Sequence, residues 1–225
     1  MSAENSELFD ILNKKGQLIE SVYVNTLASF DLVKKVTSEL LNEYLADHQQ
    51  AIRPVTFIRE ESGEFELQLR FAGDVLVFSM HTNIFEFSRQ HEVMSTQYIR
   101  EDKSRSYCGI INIYNFLSDS FKYDRVNDIG YLIGRIFINK DRSYFIEGKR
   151  EIGLLYNGFG KEVFDAKAAR KLVESAIMYS INFDLLTPPF EAVKEITLAE
   201  IKSMTDSTTL KTGKRLGFKF QADKE

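Results

Sequence analysis

The chain has 225 residues, 44% hydrophobic and 28% charged, with 18 Phe, 10 Tyr and no Trp, and a formal net charge of −4. That length suits one large domain, or one domain with a helical appendage. Residues 1–50 carry Lys14, Lys15, Lys34 and Lys35 against eight acids, so the remaining body is neutral overall and gives no electrostatic footprint for duplex DNA, with a local basic patch left open.

Cys108 is the only cysteine, so no intrachain disulfide forms, which fits a reducing compartment. The first residues are polar and acidic, without the basic start and apolar run of a signal peptide. No stretch reaches the ~20 apolar residues of a membrane span. The expected location is cytoplasmic, with no membrane partner.

Residues 6–50 read as helix. Leu8, Ile11 and Leu12 begin an apolar stripe, Gly16 is a break point, and Leu18, Ile19, Val22 and Leu27 continue the stripe. Asp31 is placed to cap a resumed helix carrying Val33, Val36, Leu40, Leu41, Tyr44 and Leu45. The stripe serves either to pack this helix on its own sheet or to meet a partner. Val24, Phe30 and Leu32 widen the apolar surface beyond one stripe, so a homodimer through the N-terminal helices is expected.

After Pro54 the pattern changes to strands. In Glu64–Phe71, Phe65, Leu67, Leu69 and Phe71 alternate with polar residues, giving one dry and one wet face. Val55–Glu60 precedes it across the turn Glu61-Ser62-Gly63, and Val75–Met80 follows Gly73-Asp74. Ile84–Phe87 is a short continuation, and residues 89–106 read as a long loop or irregular edge. Tyr107–Phe116 is a strand, and Ser118–Asp128 a polar connection. Ile129–Ile138 and Ser143–Glu147 form a hairpin around Asn139–Arg142, and Glu151–Tyr156 is expected to be the last strand.

Helix returns near Asp165, with Ala168, Leu172, Val173, Ala176, Ile177 and Ser180 at steps of three and four. Thr187-Pro188-Pro189 stops it, and Thr197-Leu-Ala-Glu200 has capping-box form. Leu216–Phe220 is a further strand candidate. The expected fold is α+β, a mostly antiparallel sheet of about six to eight strands flanked by N-terminal and C-terminal helices. The expected organisation is a helical segment over 1–50, an α+β core over 51–204 and a polar tail over 205–225.

Chemistry leaves few marks. Neither a Walker loop nor a dinucleotide-binding glycine motif occurs. His81, His91 and Cys108 lack the close spacing of zinc ligands, and Cys108 in an apolar strand reads as a small buried hydrophobe. Gly130 and Gly134, four apart, are read as sharing one strand face, open to a ligand or to a closely packed helix, or as marking a bulge. No nucleophile elbow occurs and no acidic pair is distinctive. The tail cations Lys211, Lys214, Arg215 and Lys219, with Phe218 and Phe220, have the composition of a single-strand nucleic-acid binder, but four charges near a chain end are ordinarily solvated. Nucleic acid is not an expected partner.

Arg135 lies between Ile133 and Phe137, and period-two alternation puts it on one face with Tyr131. Its guanidinium reaches solvent, pairs with an acid, or holds an anion. The leading expectation is a non-catalytic cytoplasmic binding or protein-interaction protein, without cofactor or metal. The alternative is an enzyme or small-ligand sensor that holds an anionic ligand between sheet and helices through Arg135, Tyr131, Tyr114 and His81.

Overall fold

A proline-free run with apolar residues at steps of three and four builds one long N-terminal helix, α1 (Ala3–Asp47). It passes through Gly16 and Asp31 without interruption, because a glycine inside a helix costs only about 1 kcal/mol relative to alanine. The computed structural model describes residues 3–48, 55–149, 151–154, 158–183, 187 and 189–207; the tail cations and the strand candidate Leu216–Phe220 lie outside them.

Among the described residues the sheet has seven strands: β1 (Phe57–Glu61), β2 (Glu66–Phe71), β3 (Asp74–Met80), β4 (Phe85–Glu86), β5 (Tyr107–Leu117), β6 (Tyr131–Asn139) and β7 (Tyr144–Gly148). Their order is β1-β2-β3-β5-β6-β7, with β4 beside the start of β5. Every pairing is antiparallel, as the hairpin signals require.

Between β4 and β5 lie 3-10 turns at Glu92–Ser95 and Lys103–Ser106 around α2 (Gln97–Glu101), so this segment is neither a structureless loop nor a strand. Side chains of His91, Thr96 and Asp102 cap the three turns in succession. The connection after β5 begins with α3 (Ser118–Lys122). After β7 comes α4 (Glu151–Leu154), which replaces the strand expected there. The main C-terminal helix is α5 (Ala166–Ile181), capped by the Asp165 carboxylate on the Ala168 amide at 2.8 Å. Then follow α6 (Phe190–Val193) and α7 (Leu198–Ser207), the latter entered through the expected reciprocal Thr197–Glu200 box.

The period of two divides the sheet into two faces. Leu67, Leu69, Leu76, Phe78, Ile111, Ile113 and Ile136 point to one side, where α1 from Val22 onward and α5 cover them. Arg170 of α5 grips Glu43 of α1 with both Nη atoms, at 2.7 and 2.6 Å, tying the two helices. The second face carries a smaller apolar cluster at one corner, where Phe87, Val93, Ile99 and Phe159 pack on Cys108, Phe137 and Phe145. Near α3, Phe121 meets Phe116 edge-on at 5.6 Å.

Candidate functional site

Between those two covered regions the second face is polar. Cross-strand register aligns Glu66, Ser79, Asn112, Arg135 and Glu147 in one row across five strands, all partly exposed. Residues opposite each other on neighbouring strands share a face, so this row is continuous. The next row runs Gln68, Val77, Tyr114 and Leu132.

Arg135 sits at the densest part of the row. Its Nε donates to Glu147 Oε2 at 2.6 Å, and its guanidinium lies 5.2 Å from the Phe137 ring centre. The other Glu147 oxygen meets His91 Nε2 at 2.9 Å. His91 Nδ1 accepts from the Val93 amide at 3.3 Å, which leaves Nε2 as the protonated nitrogen donating to Glu147. Burial alone would raise the Glu147 carboxyl, but the hydrogen bonds and charges of His91 and Arg135 outweigh it and hold the group below its ordinary value. An open cleft of about 240 Å³ adjoins this pair, with Leu132, Gly134, Gly148 and Lys149 in its lining.

Of the four residues singled out from sequence, Arg135 and Tyr114 share the second face. Tyr131 does not, which corrects the alternation argument. A bulge shifts the β5–β6 register, so Ile113 faces Gly134 while Tyr114 faces Leu132, and Ile133 is the extra residue. Beyond the bulge Tyr131 stands opposite Asn115, whose amide bonds Ser180 of α5 on the helical side at 2.9 Å. The same bulge separates the glycines that were read as sharing a face. A Cβ on Gly134 would meet Ile152 of α4, whereas one on Gly130 would run into the Phe116 ring on the other side. His81 belongs to the turn after β3, where its Nδ1 accepts from the Asn83 amide at 3.0 Å and its ring meets Phe85 edge-on at 4.7 Å. Because Arg135 and Tyr114 face away from α1 and α5, they do not line a space between sheet and helices.

Glu147 and His91 are the residues that sequence reasoning missed as partners of Arg135. Reading the hairpin turn as Asn139–Arg142 sets Arg135 opposite Ile146. Asn139 in fact stays in β6, its amide donating to the Ser143 carbonyl at 3.1 Å, so Ile138 pairs Tyr144 and Arg135 pairs Glu147. One residue of register decides which side chain the arginine meets.

Cys108 is buried under the phenylalanine cluster, and burial pushes its thiol well above the ordinary range. Among the described residues, no group of three or more His, Cys, Asp or Glu side chains is placed to hold a metal ion, and no helix is long and apolar enough to cross a membrane.

A second candidate surface lies on α1. From Glu7 to Ser21 every residue is exposed except the half-buried Leu18. Leu8 is 59% exposed, Ile11 59% and Leu12 63%, whereas Val22, one turn past Leu18, is wholly buried. Residues 3–21 at 1.5 Å each extend about 28 Å. On this stretch Lys15 reaches the body, its Nζ 3.4 Å above the centre of the Tyr107 ring. No family model, curated protein or solved structure matches the chain.

Proposed function

We propose that the protein is a non-catalytic cytoplasmic interaction protein, and that its contact element is the N-terminal stretch of α1, through which it forms a homodimer. The supporting observation is the apolar stripe that leaves the body uncovered: Leu8, Ile11 and Leu12 keep more than half of their surface in water. Single exposed apolar residues are ordinary, but a clustered stripe on a projecting helix is a recognition surface. Amphipathic helices recognise partners through apolar side chains at such steps of three and four.

The polar row supports this reading by default. Arg135 Nε is engaged by Glu147, which is itself held by His91, so this ion pair forms without a ligand. An anionic ligand at Arg135 would lie beside the Glu147 carboxylate, whose like charge disfavours it.

Sedimentation of the wild type and of Ile11→Glu over a micromolar concentration series tests the proposal. The wild type is expected to approach twice its 26.0 kDa chain mass as concentration rises, and the variant to remain at the chain mass. A wild type that sediments as a monomer throughout contradicts the homodimer.

A further inference from the structure

The stripe on α1 has two unlike flanks. At 100° per residue, Leu8, Ile11, Lys15, Leu18 and Val22 form its centre line. Glu7 and Lys14, seven residues apart and both exposed, lie along one flank. Leu12 and Ile19, also seven apart and exposed, lie along the other. One edge is therefore charged with opposite signs at its two ends, and the other is apolar.

How two such helices pair depends on direction. In a parallel pair the first flank of one helix faces the second flank of its neighbour, which sets Glu7 and Lys14 against Leu12 and Ile19. Both charges then lose water without gaining a partner, which is costly. In an antiparallel pair like flanks meet. The charged edges then lie side by side and run in opposite directions, so each charge has one of opposite sign within reach. With Leu8 of one helix layered on Ile11 of the other, Glu7 falls beside Lys14 of the second copy, and the two-fold axis repeats the pair.

Resting on the homodimer reading above, we infer that the occupant of the exposed α1 stripe is the same stripe of a second copy, running antiparallel, with Leu8 and Ile11 interleaved and Glu7 paired with Lys14 across the axis. The charge complementarity is self-referential, because one short stretch carries both members of each pair, which suits a symmetric partner. A contact of about three helical turns is smaller than the ~800 Å² per partner of a standard interface. The dimer is accordingly expected to be weak and reversible.

The test uses the full-length chain in four forms, wild type, Glu7→Lys, Lys14→Glu and Ile11→Glu, with circular dichroism confirming the fold of each. Dimer dissociation constants come from sedimentation. Each single charge reversal is expected to weaken self-association about tenfold, because it turns both symmetric pairs repulsive. An equimolar mixture of Glu7→Lys with Lys14→Glu, and the double reversal within one chain, are both expected to recover the wild-type constant. If Ile11→Glu abolishes the dimer while the charge reversals leave it unchanged, the antiparallel register is overturned and the helix remains the interface. If each reversal weakens the dimer but neither the mixture nor the double reversal recovers it, the pairing of Glu7 with Lys14 is overturned. If the wild type is monomeric, or Ile11→Glu dimerises as well as the wild type, the underlying reading fails too.

Discussion

Glu147 shows how one carboxylate on a half-open sheet face organises its neighbours. It receives Arg135 from the adjacent strand and His91 from the first 3-10 turn, so it couples the hairpin to the segment lying over the sheet. Its folded value is depressed below the ordinary carboxylate range. A depressed carboxylate stabilises the fold above its unfolded value of about 4.3, and that contribution is lost as pH falls through the lower folded value. Glu147→Gln is expected to destabilise the protein by about 1 kcal/mol near neutral pH, a modest figure because the pair is partly exposed to solvent. The gap should narrow as pH falls below 4. Thermal unfolding of both proteins between pH 3 and 7 measures this, and a gap that is constant across the range would show that the carboxylate charge contributes nothing.

At the scale of elements, α1 approaches the sheet closely where it crosses β5. A Cβ added to Gly109 would lie 2.1 Å from Thr26 Oγ1 and 2.8 Å from Thr26 Cβ. The Thr26 hydroxyl cannot simply turn aside without cost, because it donates to the Val22 carbonyl at 2.7 Å. Gly109→Ala is expected to cost about 1–3 kcal/mol by overpacking. Gly73→Ala, where the added methyl meets nothing within 4 Å, is the control and should be near neutral. Combining Gly109→Ala with Thr26→Ala should recover part of the loss, because two of the three crowding atoms leave. Urea unfolding of the four proteins reads the effect, and equal stability of Gly109→Ala and wild type would refute the close approach.

The elements differ in how legible they were. Strand β2 declared itself because its alternation is local, and α5 because four turns of helix repeat one face. Helix α4 was not legible. Glu151–Tyr156 is a short apolar run, for which periodicity cannot separate helix from strand. What decides it is tertiary: Gly134 and Gly148 stand opposite each other and leave a socket that Ile152 fills from above. The face of Tyr131 was equally hidden, because the bulge that moves it is a property of the strand pair. Segment 89–106 defeated the pattern for another reason. Its turns are four or five residues long, and each buries a single side chain, so no period has room to show.

Across the whole molecule, α1 joins two regimes in one helix. From Val22 onward it is held by the sheet and α5, with Val22, Phe30 and Val33 wholly buried. Before Val22 its backbone bonds are flanked by water, and the stretch includes Gly16. Isolated helices shorter than about 12–15 residues are marginal in water, so the free portion is sustained by propagation from the anchored portion. Local stability should therefore fall steeply toward the N-terminus in the monomer and be restored by association. Hydrogen exchange is expected to show residues 24–44 protected at every protein concentration. Residues 7–20 should exchange far faster when the protein is dilute and gain protection as the concentration enters the dimer range. Ile11→Glu should keep the first behaviour and lose the second. Strong protection of residues 7–20 in the dilute wild type would mean that a contact within the same chain already covers the stripe, and the second copy would then have no open surface to bind.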